Sequence, residues 1–136
     1  MCKHKFEVGL LHAPKTCYLQ SIYKEHYYTL GKIELAYDDD GFCLFHSSQI
    51  EWKLENKFEM HLSRILDLML NVSEYKEVDL RGIQVASEKD KGIEWKGFTT
   101  SKSLNLCGAY FHSSLSIEDC HFGGALYLDK FEFIYK

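Results

Sequence analysis

The sequence predicts an α+β N-terminal region, a β-hairpin plus an amphipathic helix over 57–71, capping a short β-solenoid. Three observations predict it. The C-terminal stretch repeats itself in blocks of eight and three residues. An Asp-Asp-Asp-Gly turn stands between two alternating apolar runs in the first half. A helical apolar stripe comes just before the first repeat. The expected division is 1–77 for the N-terminal region and 78–136 for the repeats.

The chain has 136 residues, enough for one domain or two tightly joined halves. At 46% hydrophobic and 15% aromatic it can bury a core, which argues against disorder. Net charge is −4, too mild to point to nucleic acid or an anionic membrane as partner. The chain has five cysteines, an odd number with no CxxC, and its first residues, "MCKHKFEVG", are charged rather than an apolar leader. The cysteines read as reduced thiols of a cytoplasmic protein. No stretch approaches the roughly 18 apolar residues of a membrane span.

In the first half, Leu19, Ile22, Tyr23 and Tyr27 share a helical face within 16–30, with a Tyr-rich strand as the rival reading. "IELAYDDDGFCLF" then alternates about Asp-Gly, a strong hairpin signal that puts Ile33, Leu35 and Tyr37 on one face. "IEWKL" reads as a third strand showing Ile50, Trp52 and Leu54 on one side. Asn56 with Glu59 has the form of a capping box. Phe58, Leu62, Ile65, Leu66 and Met69 follow at helical spacing, and Asn71 is the expected stop.

The second half holds five copies, "VDLRGIQV", "IEWKGFTT", "LNLCGAYF", "LSIEDCHF" and "LYLDKFEF", starting at 78, 93, 104, 115 and 126. The ideal copy reads apolar-x-apolar-x-Gly-apolar-x-apolar. Gly82, Gly97 and Gly108 hold the fifth place, then Asp119 and Lys130. A fixed period means one small unit stacked on itself. In a plain strand side chains alternate faces, so the second apolar pair of each copy would point away from the first. An antiparallel meander would need the same bulge in all five copies. A corner at the glycine, which accepts positive φ, turns both pairs inward.

The central apolar residues Leu106, Phe111, Ile117, Phe122, Leu128 and Phe133 fall in alternating steps of five and six, and "LCGAYF" and "FGGALYL" carry the motif best. This stretch resembles pentapeptide-repeat proteins. The resemblance implies a right-handed quadrilateral β-helix with these residues inside. It covers about 56 residues, with departures at Trp95, Thr100 and Phe131.

The helix over 57–71 is placed to cover the first coil. The last copy is followed only by "IYK", so the C-terminal end is expected to pair with a second copy or another protein, through Leu128, Phe131, Phe133 and Tyr135. Outward Tyr110, His121 and Tyr127 form a second candidate surface.

Chemistry is less legible. No nucleophile elbow, phosphate loop or HExxH motif is present. Cys120 and His121 are neighbours that point opposite ways. Cys2 and His4, Cys107 and His112, and Asp38 to Asp40 lack the spacing of a metal site, and no catalytic residue, metal or cofactor is expected. The repeats carry seven Lys or Arg against eight Asp or Glu, so neither a basic nucleic-acid surface nor an acidic DNA mimic is expected. The expected function is a non-enzymatic protein-interaction or assembly module, with a homodimer through the C-terminal end. The alternatives are a small inhibitor or immunity protein of a mobile element, and an enzyme with Cys43, His46 or His61 where the two halves meet.

Overall fold

The computed structural model describes residues 17–88, 91–127 and 132–133. Three helices come first: α1 (Leu19–Glu25), α2 (Ile50–Glu55) and α3 (Phe58–Asn71). Ten short strands follow among the described residues: β1 (Glu77–Asp79), β2 (Gln84–Val85), β3 (Ile93–Lys96), β4 (Thr99–Thr100), β5 (Ser103–Asn105), β6 (Tyr110–Phe111), β7 (Leu115–Glu118), β8 (His121–Phe122), β9 (Leu126–Tyr127) and β10 (Glu132–Phe133).

The expected architecture is corrected in both halves. Among its described residues the first half has three helices and no hairpin of regular strands. Asp-Asp-Asp-Gly does turn the chain, with Gly41 at φ 90°, but only one antiparallel bridge forms beside it, Tyr37 with Cys43. The reason lies beyond the turn. Ser47 N donates to Cys43 O (2.9 Å) and His46 N to the same oxygen (3.0 Å), so 43–47 coils into a helical turn instead of extending. "IEWKL" is helical, not a strand. Glu51, Lys53, Leu54 and Glu55 are good helix formers, and that preference overrides the two-residue alternation. Asn56 does not start α3. Its Nδ2 donates to Trp52 O at the end of α2 (2.9 Å), and Lys57, left-handed at φ 59°, separates the two helices.

In the second half the meander is overturned because every strand pair is parallel. The β-solenoid is likewise set aside for what the described residues form: two three-stranded sheets, β1-β5-β9 and β10-β6-β2, and two two-stranded sheets, β3-β7 and β4-β8. The strands of the first four copies are short because a left-handed residue interrupts each block of eight. Gly82 (φ 71°), Gly97 (φ 70°), Gly108 (φ 73°) and Asp119 (φ 53°) occupy the fifth place of the first four copies. Register ties alternate copies together. Val78 lies opposite Leu104, which lies opposite Leu126, while Ile93 lies opposite Leu115.

The two halves share one core. Phe58, Leu62, Ile65 and Met69 of α3 are buried with Val78, Leu80, Leu104 and Leu106. Burying such side chains contributes about 1.5–3 kcal/mol each. Lys102, arriving from the repeats, donates to Met69 O (2.5 Å) and Val72 O (2.7 Å), satisfying carbonyls at the C-terminal end of α3 where a cation is favoured.

Candidate functional site

Three chain segments meet where the helical half joins the first repeat. Cys17 stands just before α1. Tyr18, its neighbour, donates its hydroxyl proton to Asp79 O and so ties this segment to β1. Cys43 follows the Asp-Gly turn, and His46 lies one helical turn further on. Asp38 holds that turn in shape. Its Oδ1 accepts from Asp40 N and Phe42 N (both 2.9 Å) and its Oδ2 from Ser47 Oγ (2.5 Å).

The coil at 43–47 turns residues three apart toward one side. Cys43 Sγ lies 3.2 Å from His46 Nδ1 and 3.9 Å from Cys17 Sγ. His46 Nε2 lies 3.1 Å from Arg81 O, in the first repeat copy. Arg81 is itself held by Asp79, with Nε and Nη2 at 2.8 and 2.5 Å from the carboxylate oxygens. Cys43 is fully buried, and Cys17 and His46 are less than a tenth exposed.

Lys53 is buried close by. Its ammonium donates to Leu44 O and lies 4.2 Å from the centre of the Phe58 ring. Burial lowers its pKa to about 7, opposed by the charges of Cys43 and Asp38.

Of the three residues expected near an enzymatic pocket, Cys43 and His46 come together and His61 stands apart. His61 Nδ1 lies 2.8 Å from Tyr23 Oη, with the two rings stacked. Burial, then Arg64 and Lys57, lowers its pKa. A cavity of about 400 Å³ does open between α3 and β3, but its walls are Glu59, Leu62, Ser63, Leu66 and 91–95, with no Cys or His.

Leu128, Phe131 and Tyr135 lie outside the described residues, as do Cys2 and His4. Phe133 is described only by its backbone, paired with Phe111. Tyr110, His121 and Tyr127 belong to three different sheets, on β6, β8 and β9. Tyr110 is half-buried and stacks on His112, while His121 and Tyr127 are exposed.

The structure adds a surface of described residues in the fourth and fifth copies. Val78 and Leu104 are 0% exposed, yet Leu126, next in the same sheet, is 57% exposed. Trp95 is 6% exposed and Ile117, paired with it, 44%.

Sequence reasoning missed the meeting of Cys17 with Cys43 and His46. A strand at 42–45 would send residues 43 and 46 to opposite faces. The available signal was C-x-x-H at 43–46.

No protein-family model, curated protein or solved structure matches the chain. Among the described residues no helix is long and apolar enough to cross a membrane.

Proposed function

We propose that the protein is a non-enzymatic binding module whose repeat end docks against a second copy of itself. The carrying observation is the exposure of Leu126, at a position buried in the two preceding members of its sheet. Leu104 is sealed between a layer on each side. Leu126 and Ile117 present the same kind of apolar surface with one side open. A second copy brings an identical apolar end, so a two-fold pairing continues the packing that already buries Val78 and Leu104. Leu126 and Ile117 are 57% and 44% exposed, so burying the remainder contributes about half of the roughly 1.5–3 kcal/mol of a full burial for each.

An enzymatic reading gains less support. Cys43 and His46 are sealed from solvent, and the cavity between α3 and β3 has neither in its walls. A cytoplasmic setting accompanies the binding reading, in keeping with the reduced thiols of Cys107 and Cys120.

Light scattering after size-exclusion chromatography tests the proposal, on the full chain and on Leu126→Glu and Ile117→Lys. The expected result is a wild-type dimer and monomeric variants that keep the wild-type circular dichroism. A wild-type monomer at high concentration, or a dimer indifferent to both charges, overturns it.

A further inference from the structure

The geometry points to a buried zinc site formed by Cys17, Cys43 and His46, clipping the N-terminal segment and the 43–47 turn onto the first repeat copy. Two soft sulfur ligands and one imidazole are a donor set that selects zinc over hard cations. Their ligand atoms all lie within 4.8 Å of one another. With a Zn–S bond of about 2.3 Å, two thiolates on a tetrahedral ion stand roughly 3.8 Å apart. The observed separation of the two sulfurs is 3.9 Å. A disulfide would need about 2.0 Å.

The histidine is set up as a ligand. With Nε2–H donating to Arg81 O, the lone pair of Nδ1 faces the Cys43 sulfur. A ligating imidazole is usually oriented this way, by a second partner on its other nitrogen. Arg81 O thereby acts as a positioning group, and it lies in the repeat half.

Burial argues in the same direction. Zinc binding releases the two thiol protons, and the two resulting thiolates neutralise the 2+ charge of the ion. The ion and its ligands therefore form an assembly of low net charge in a buried site. Three protein ligands leave the fourth tetrahedral position to a water or another small ligand, and the burial of all three, each less than a tenth exposed, favours a structural over a catalytic centre. The role complements the docking end, which lies at the far copies of the repeat.

Metal analysis tests the inference on the full chain purified without chelator, then stripped and titrated with Zn²⁺ or Co²⁺. One zinc per chain should survive gel filtration. The Co²⁺ form should show thiolate-to-metal charge-transfer absorption, and titration at neutral pH should release protons. Cys17→Ser, Cys43→Ser and His46→Gln should each weaken zinc binding by more than the roughly 10–100-fold that follows loss of an outer partner. Cys107→Ser and Cys120→Ser should leave it unchanged. Since Cys43→Ser removes a fully buried group, Cys17→Ser and His46→Gln decide the matter if that variant fails to fold. The inference is overturned if no zinc binds at equimolar concentration. It is also overturned if Cys17→Ser and His46→Gln bind as the wild type does, or if Cys107→Ser weakens binding as much as they do.

Discussion

Lys53 Nζ lies over the Phe58 ring, 4.2 Å from its centre, at the point where α2 and α3 close on the 43–47 turn. A buried ammonium that donates to a carbonyl and faces a ring is a costly arrangement, and the lowering of its pKa to about 7 by burial expresses that cost.

Stability should therefore rise with pH above neutrality. Between about 7 and 10.5 the unfolded lysine binds a proton that the folded one has released. The unfolded state is then the more protonated, and stability climbs by at most about 1.4 kcal/mol per pH unit. Below about 7 both states carry the proton and the curve flattens. Tyr18 and Tyr23, whose pKa values burial raises above 10.0, act the other way at higher pH. Urea unfolding from pH 6 to 9.5 should show the climb in the wild type and its loss in Lys53→Met.

On the acid side, His61 and His112 should cost stability. Burial lowers both below the ordinary 6.5, helped by Arg64 and Lys57 at His61 and by Lys53 at His112. As pH falls through 6.5 the unfolded imidazoles take protons that the folded ones resist, so stability drops toward pH 5. His61→Gln and His112→Gln should each remove part of that slope in the same unfolding series.

Asp38→Ala should destabilise the chain by about 2–3 kcal/mol, because one buried carboxylate accepts from two backbone amides and Ser47 Oγ. Asp38→Asn should recover part of the loss. Denaturant midpoints measure both. In Asp38→Ala the zinc affinity should fall too, since the turn that aligns Cys43 with His46 is loosened.

Glycine substitutions in the repeats should separate strain from clash. At Gly97 an added Cβ meets nothing within 4 Å, so Gly97→Ala should cost only the left-handed backbone, about 1–2 kcal/mol. At Gly124 the Cβ would stand 2.7 Å from Ser103 N and 3.0 Å from Lys102 C, backbone atoms that cannot turn aside. Gly124→Ala should be the more damaging of the two. Asp119→Gly should raise thermal stability, by roughly 1 kcal/mol, since it relieves a side chain held at φ 53°.

Parts of this structure are written locally and parts are not. The apolar spacing of Phe58, Leu62, Ile65, Leu66 and Met69 marks the buried face of α3, because a helix buries one side of itself. The left-handed positions of the repeats are legible through their glycines, and Asp119 follows by alignment. The helical state of 50–55 was hidden because Ile50 and Leu54 satisfy a two-residue and a four-residue spacing equally. The thiol–imidazole cluster was hidden because Cys17 is far along the chain from Cys43, and only the packing of α1 brings them together. Leu126 carries the same local pattern as Val78. Its exposure depends on what lies beside it in space, which no local pattern records.

Alternate copies pair, as Thr99 does with His121, so each copy returns to its own sheet only after another has intervened. That parity governs how such a chain can lengthen or shorten. Losing a single copy would hand every later copy to the sheets of its neighbour, setting "IEWKGFTT" against partners selected for "VDLRGIQV". Losing or gaining two leaves all remaining pairings intact. The heritable quantum of this array is the pair of copies, and deletions between Val85 and Leu126 should be tolerated in even numbers and refused in odd ones.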